Sequence, residues 1–167
     1  MSFYLIVLEM KKLLGSLDGC LDKVAGHATS RKYDANTLLG ARLAPDMFPL
    51  VRQVQATCDQ AKYAAARTSG KEAPAHADTE QTIEELRKRI TSVIGFLDTF
   101  KQADFEGLDG RTVSLPRWEG KSMTASEYFV QHALPNFFFH LTTAYAILRH
   151  NGVEVGKRDY LGPLPMK

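Results

Sequence analysis

The sequence has only two cysteines, Cys20 and Cys58, and they lie far apart. A disulfide framework needs clustered cysteines, and a structural zinc site needs close spacings such as Cys-x-x-Cys. Neither kind of site is therefore expected, and both cysteines are interpreted as small buried side chains on helices. The alternative, a nucleophilic cysteine with a distant histidine, has no support from neighbouring residues.

Long apolar runs are also missing. The run Phe3–Leu8 is far shorter than the roughly 20 residues that cross a bilayer. Lys11 and Lys12 follow this run, whereas the basic residues of a secretory signal precede its apolar region. These features predict a cytoplasmic protein with no membrane segment.

Neither sign of charge dominates, since the chain has 21 basic and 19 acidic side chains and a net charge of +2. No basic stripe with interleaved aromatic residues is present, so nucleic acid is not an expected partner. Phosphate-binding glycine loops, Gly-x-Ser-x-Gly elbows and His-Glu-x-x-His helices are absent as well. The length of 167 residues predicts one domain covering 1–167.

Apolar residues recur at intervals of three and four in four segments, which is typical of amphipathic helices. The first predicted helix covers about 3–28. The second runs from about Pro45 to Arg67, and Pro49, one turn later, is expected to bend the helix or delay its start. The third follows a cap at Asp78 or Thr79. The fourth covers about 126–151 and ends at Gly152.

Two short extended runs, 111–115 and 121–124, flank Pro116 and Gly120 and predict a small β-hairpin. Thr124 or Ser126 is the predicted cap of the helix that follows. The predicted fold is therefore all-α: a four-helix bundle whose long crossover carries a hairpin before helix 4.

Helix 4 has a polar stripe on an otherwise apolar helix, because His132, Asn136 and His140 are spaced four residues apart. Pro135 interrupts the same helix, which costs about 3 kcal/mol and predicts a kink with a free carbonyl at Gln131. A buried imidazole or amide needs partners, so this stripe predicts a polar pocket inside the bundle.

Asp46 and Gln53 are seven residues apart on predicted helix 2 and would share one face. The predicted pocket therefore consists of Asp46, Gln53, Asn136 and His140. Simpler interpretations stay open: His140 as a satisfied core histidine, Asp46 as a partner of free helix amides, and the Phe137–Phe139 run as core or dimer surface.

Three stretches, "RLAPDMFPLVRQVQ", "LPNFFFHLTTAYAILRHNGV" and "GKRDYLG", resemble an uncharacterised bacterial domain family of the DinB/YfiT-like superfamily. The resemblance covers nearly the whole chain. It implies a DinB-like four-helix bundle and a metalloenzyme ancestry.

Better-understood members of that superfamily hold a divalent metal with one histidine from helix 2 and a His-x-x-x-His pair from helix 4. By this resemblance His140 matches the second histidine of the pair, and Asn136 occupies the place of the first. Helix 2 has no histidine, so Asp46 or Gln53 would have to replace it. A set of His140, Asp46 and Asn136 is rich in oxygen and closer to manganese or magnesium than to zinc or nickel, so weak or absent metal is expected.

Three functions follow from these features. The first is a metal-dependent hydrolase or thiol-transferase-type enzyme, as the resemblance implies. The second is a metal-free small-molecule binder or acid–base enzyme in which Asn136 or Gln53 orients His140. The third is a structural bundle protein that forms a homodimer. The "GKRDYLG" segment is interpreted as a solvated tail.

Overall fold

Four long helical segments form the bundle, and the computed structural model describes residues 2–108 and 110–166. The helices are α1 (Phe3–Arg31), α2 (Leu50–Ser69), α3 (Ile83–Leu97), α4 (Ala125–Glu127), α5 (Leu134–His150) and α6 (Lys157–Leu161). A π-helical segment (Tyr128–Ala133) joins α4 to α5, so that residues 125–150 form one continuous helix. Short 3₁₀ helices cover Ala35–Gly40, Gln102–Phe105 and Pro116–Trp118. The predicted four-helix bundle is confirmed.

The core lies where α1, α2, α3 and α5 face one another, and α2 packs most extensively on α5. Every long helix contributes an apolar stripe at the predicted spacing. The largest fully buried apolar side chains of the core include Met10, Leu14, Leu17, Leu21, Leu50, Leu86, Ile90, Phe129 and Phe137. Cys20 and Cys58 are both buried in this core, and neither forms a disulfide with a described residue.

Helix α2 begins later than the sequence predicts. Its first residue is Leu50, with Pro49 as the extended N-cap, and the predicted start at Pro45 is wrong. A proline disfavours the helical conformation in the residue before it, so Pro49 holds Phe48 outside the helix. As a consequence, Asp46 lies in the turn before α2 and not on its first helical turn.

Helix α3 also begins later, because its cap is Thr82 and not Asp78 or Thr79. The Thr82 hydroxyl accepts a hydrogen bond from the Glu85 amide at 3.1 Å, and the Glu85 carboxylate accepts one from the Thr82 amide at 3.1 Å. This reciprocal pair satisfies two amides at the helix start. It therefore fixes the start at Ile83.

The predicted hairpin is confirmed. Strands β1 (Thr112–Ser114) and β2 (Ser122–Thr124) pair antiparallel, with Val113 opposite Met123. Thr124 then caps α4, and Glu127 completes the same reciprocal arrangement as at α3. The hairpin consequently delivers the chain directly into the helix that carries the polar stripe.

The π-helical segment lies immediately before Pro135. At its end the Leu134 amide donates to the carbonyl of Phe129, five residues back rather than four. The wider turn is the structural response next to a residue that has no amide hydrogen to donate. Segments of this kind recur at functional sites in other helical proteins.

The "GKRDYLG" segment is not the solvated tail that the sequence predicts. Its α6 helix packs against α1. Lys23 pairs with Asp159 at 2.7 Å, and the hydroxyls of Thr142 and Tyr160 lie 3.0 Å apart. These contacts tie the segment to two of the long helices.

Across the described part of the chain, no helix combines the length and the apolar character needed to cross a membrane.

Candidate functional site

A glutamine on α2 and a histidine on α5 meet in the α2–α5 interface. The Gln53 side chain is 1% exposed, and its Oε1 lies 2.8 Å from Nδ1 of the half-buried His140. On its other side, Gln53 Nε2 donates to the carbonyl of Phe48 at 3.1 Å. Phe48 stays outside the helix because of Pro49, so this carbonyl is available to accept the bond.

These two hydrogen bonds determine where the proton of His140 lies. A carbonyl oxygen only accepts, so the amide nitrogen of Gln53 must face Phe48 and its oxygen must face His140. Because Oε1 can only accept, Nδ1 of His140 carries the hydrogen. In the neutral imidazole, Nε2 therefore has the free lone pair.

The surroundings of His140 favour this neutral form. Burial lowers the pKa of His140 below its ordinary value of 6.5, and the positive charge of Arg52 lowers it further. Phe48 stacks on the imidazole with ring centroids 6.4 Å apart, and Phe139 meets it edge-on at 5.2 Å. Both phenylalanines are more than half exposed, at 51% and 55%, so an aromatic surface surrounds the imidazole.

Asn136 lies one helical turn from His140, but its amide is engaged within its own helix. Asn136 Nδ2 donates to the carbonyl of His132 at 2.6 Å. Within residues 2–108 and 110–166, no hydrogen bond links Asn136 to Gln53 or His140. Asn136 therefore shares the stripe with His140 without forming part of the same hydrogen-bonded pair.

Asp46 is exposed. Its carboxylate forms no hydrogen bond or ion pair with any other described residue. The expected helical face that joins Asp46 to Gln53 does not exist, because the helix begins four residues after Asp46. Of the four predicted pocket residues, the structure thus joins Gln53 and His140 directly.

The donor set is unfavourable for a tightly held metal. His140 Nε2 is one good ligand, but the Asn136 amide is turned to its own backbone and Gln53 Oε1 is turned to Nδ1. In the described chain no group of three or more His, Cys, Asp or Glu side chains could hold a metal ion. Neutral amides are weak ligands, so the residues around His140 do not fit the three-histidine site that the resemblance implies.

Sequence reasoning missed Phe48 and Arg52, although both flank residues that it selected. Phe48 contributes a backbone carbonyl and a ring, and Arg52 contributes a charge that is fixed by Asp78 at 2.6 Å. The signal for Phe48 is the proline that follows it, since proline disfavours the helical conformation in the preceding residue and α2 begins directly after Pro49.

A second group of polar side chains, between α2 and α3, was also missed. Arg89 is 1% exposed in its side chain and pairs with Asp59 at 2.8 Å and with Glu80 at 3.1 Å. Lys62, equally buried, pairs with Asp59 at 2.9 Å. Charged residues from the polar loop before α3 therefore reach the interior, which helical periodicity alone does not indicate.

Comparison with known proteins places the chain in a family. Residues 3–161 match the model of a domain of unknown function, DUF1993. A crystal structure of a DinB family member protein from Shewanella denitrificans is 50% identical, with a TM-score of 0.92, over 96% of this chain and 92% of that one. None of the curated proteins matches the sequence significantly. The chain belongs to the DUF1993 family, and its fold is the DinB-like four-helix bundle that the sequence predicts.

Proposed function

We propose that the protein binds a small molecule at His140 and uses Nε2 of that histidine as a Brønsted base, without a tightly bound metal. One observation carries the proposal: the Gln53 amide is fixed between the Phe48 carbonyl and His140 Nδ1. A base oriented by a third group is the arrangement that acid–base catalysis requires.

Each residue has a distinct role in this proposal. Nε2 of His140 accepts a proton from an acidic O–H, N–H or S–H group of the ligand. Gln53 Oε1 accepts the Nδ1 hydrogen before and after that transfer, so the ring does not need to turn. Burial and the charge of Arg52 disfavour the imidazolium, so the protonated ring readily returns its proton. Phe48 and Phe139 offer an aromatic surface to an apolar or planar part of the ligand.

A fragment screen followed by two-dimensional NMR tests the proposal. We expect at least one ligand to shift the His140 side-chain resonances of the wild-type protein and to lose binding in His140→Ala. His150→Ala is the matched control, because His150 is exposed at the end of the same helix. Ligands that bind His140→Ala as tightly as the wild type, or no ligand at all, would refute the proposed site.

Metal-dependent hydrolysis or thiol transfer is the second candidate, and it is favoured by His140 Nε2, which has no hydrogen-bond partner among the described residues. It requires the Asn136 amide to leave the His132 carbonyl and Asp46 to approach from the turn before α2. Elemental analysis of untagged protein supplemented with manganese, magnesium, zinc or nickel separates the candidates. We expect substoichiometric metal, whereas one equivalent that His140→Ala removes would establish the metal site.

We further propose a homodimer, supported by the exposure of Phe138 on the continuous helix and of Phe48 and Phe139 beside His140. Exposed apolar patches mark interaction surfaces, and two-fold dimers are the commonest soluble assemblies. Sedimentation equilibrium of the wild type and of Phe139→Ser tests the proposal. A dimer that weakens in Phe139→Ser supports it, and a monomer at all concentrations contradicts it.

A further inference from the structure

A line of polar side chains follows the α2–α5 interface away from His140. Two contacts bracket it: Gln53 with His140 at one end, and Arg67 with Tyr128, whose hydroxyl accepts from Arg67 at 3.1 Å, at the other. The two helical segments are thus antiparallel. We call this line the polar seam; it consists of Gln53, Gln60 and Arg67 on α2 and Tyr128, His132, Asn136 and His140 opposite.

The spacing of the seam residues keeps them on one face of each helix. On the continuous helix they recur every four residues, and on α2 every seven. Gln60, halfway along, has a buried Oε1 with no hydrogen-bond partner among the described residues. The seam therefore contains a buried acceptor that no other described residue satisfies.

His132 provides the clearest unsatisfied group. Its Nε2 lies 2.6 Å from the Arg117 guanidinium, which can only donate, so Nε2 must accept and Nδ1 must carry the hydrogen. Nδ1 is buried and has no partner within residues 2–108 and 110–166. An N–H group left in this way costs about 1–3 kcal/mol, unless an acceptor reaches it.

Two arginines beside this histidine also have donors to spare. Neither Arg67 nor Arg117 forms an ion pair with a carboxylate among the described residues, although Arg52, Arg87 and Arg89 show that such pairs occur elsewhere in the bundle. What distinguishes Arg67 and Arg117 is that both charges act on His132. Arg67 lies over the ring of Tyr63 at 4.0 Å, and this accounts for its aromatic face but not for its remaining N–H groups. Two positive charges therefore lie beside His132, and neither has a carboxylate partner in the described part of the chain.

We propose that Arg67, Arg117 and His132 form an oxyanion subsite for a phosphate or carboxylate group. Guanidinium forks match the geometry of both groups, and such charge-assisted bonds are among the strongest in proteins. The fully buried Tyr128 supports the subsite from below: its hydroxyl accepts from Arg67, and its ring stacks on His132 with centroids 5.3 Å apart. Trp118 meets His132 edge-on at 5.4 Å and forms a wall of the subsite.

The subsite also defines the class of ligand for His140, and in this respect the inference rests on the proposed function. Eight residues separate His132 from His140, which corresponds to about 12 Å along a helix. The ligand would be an elongated anion whose acidic group binds the arginines while its other end reaches Nε2 of His140.

Titration with inorganic phosphate, followed by NMR, tests the subsite alone. We expect saturable shifts of the Arg67, Arg117 and His132 side-chain signals, and an affinity about tenfold weaker in Arg117→Gln. Arg117 is exposed, so this variant should fold, and Arg149→Gln is the charge-matched control with unchanged affinity. Absence of saturable binding, or equal losses in both variants, would overturn the inference. Propionate in place of phosphate distinguishes a carboxylate site from a phosphate site.

A second series separates the subsite from the proposed function. His140→Ala should bind phosphate as the wild type does, because phosphate does not reach His140. Straight-chain alkyl phosphates of increasing length should begin to shift the His140 signals once they span the seam. If phosphate binds at Arg117 but none of the long-chain alkyl phosphates shifts the His140 signals, the subsite stands and its link to His140 is wrong. If phosphate does not bind, the inference is wrong and the fragment screen at His140 is unaffected.

Discussion

Gln53 is held by the Phe48 carbonyl and therefore presents only its oxygen to the imidazole. This leaves Nε2 as the nitrogen that meets solvent or a ligand. Replacing the amide changes both the partner and the charge at Nδ1, which makes the pair directly testable.

The first prediction concerns the pKa of His140. In the wild type it should lie below the ordinary 6.5, because burial and Arg52 disfavour the charged ring. Gln53→Glu places a carboxylate against Nδ1 and should raise that pKa. Long-range ¹H–¹⁵N NMR measures the pKa and identifies the nitrogen that carries the proton. Gln131→Glu, an exposed change of equal charge on the continuous helix, should leave it unchanged; equal rises in both variants would contradict this account.

At the same scale, the sequence indicates which side chains are candidates but not how each one is used. His140 and Gln53 are selected because polar residues on apolar helical faces need partners, and the structure gives them each other. Asp46 belongs with them only if α2 begins at Pro45. Asp46 lies in a turn instead, because Pro49 prevents the residue before it from being helical and α2 therefore begins only at Leu50.

At the scale of elements, the existence of the helices follows from periodicity, while their ends depend on individual caps. The apolar stripe from Ile83 to Leu97 predicts α3. In the segment that precedes it, the side chains of three different residues are able to cap a helix: Asp78, Thr79 and Thr82. The choice falls on Thr82 because only there does Glu85 complete the reciprocal pair. Likewise, Pro135 predicts a disturbance in helix 4, and a π-helical turn is the form that the disturbance takes.

The second prediction distinguishes these caps. Thr82→Ala removes the hydroxyl that accepts from the Glu85 amide, and should lower the free energy of unfolding by about 1 kcal/mol. Thr79→Ala makes the same chemical change three residues earlier and should stay within about 0.5 kcal/mol of the wild type. Urea denaturation at neutral pH measures both. A larger loss in Thr79→Ala would place the helix start at the position that the sequence predicts.

At the scale of the whole molecule, a buried charge network joins α2, α3 and the loop between them. Arg89 donates to Asp59 on α2 and to Asp78 and Glu80 in the loop. Gln55 Nε2 adds a bond to Glu80 at 2.7 Å. The sequence predicts only a polar connector here, because no periodic pattern indicates that the loop carboxylates contact a buried arginine.

The third prediction compares two arginines of α3. Arg89→Met removes the buried guanidinium that three carboxylates share. Because Lys62, Arg52 and Gln55 still contact these carboxylates, the change should cost about 3 kcal/mol, the lower end for a broken buried pair. Arg87→Met breaks pairs with Asp18 and Asp22, but Arg87 is 31% exposed where Arg89 is 1% exposed, so this change should cost about 1 kcal/mol. Chemical denaturation gives both values. Similar losses would mean that burial of the network does not determine its contribution.

Three histidines and two carboxylates should make the stability of the fold depend on pH, the histidines at higher pH and the carboxylates at lower pH. Burial lowers the pKa of His76, His132 and His140, and neighbouring Lys or Arg charges lower each one further. Burial alone would raise the pKa of Asp78 and Glu80, but their hydrogen bonds and the Arg89 charge outweigh it, and both values are lowered. All five groups therefore bind protons less readily in the folded state than in the unfolded one.

The fourth prediction is a two-stage loss of stability on acidification. Below the ordinary histidine pKa of 6.5 these histidines bind protons in the unfolded chain but remain largely neutral in the folded protein, because folding lowers their pKa values. Protonation therefore favours the unfolded state, and the melting temperature should begin to fall in this pH range. A steeper fall should follow below the ordinary carboxyl values of 3.8 and 4.5, as protonation removes the partners of Arg89. Melting curves between pH 8 and pH 3 measure both stages, with each pH compared at constant ionic strength. His140→Gln should reduce the first stage and leave the second intact, and a melting temperature independent of pH between 7 and 5 would show that the histidines titrate alike in both states.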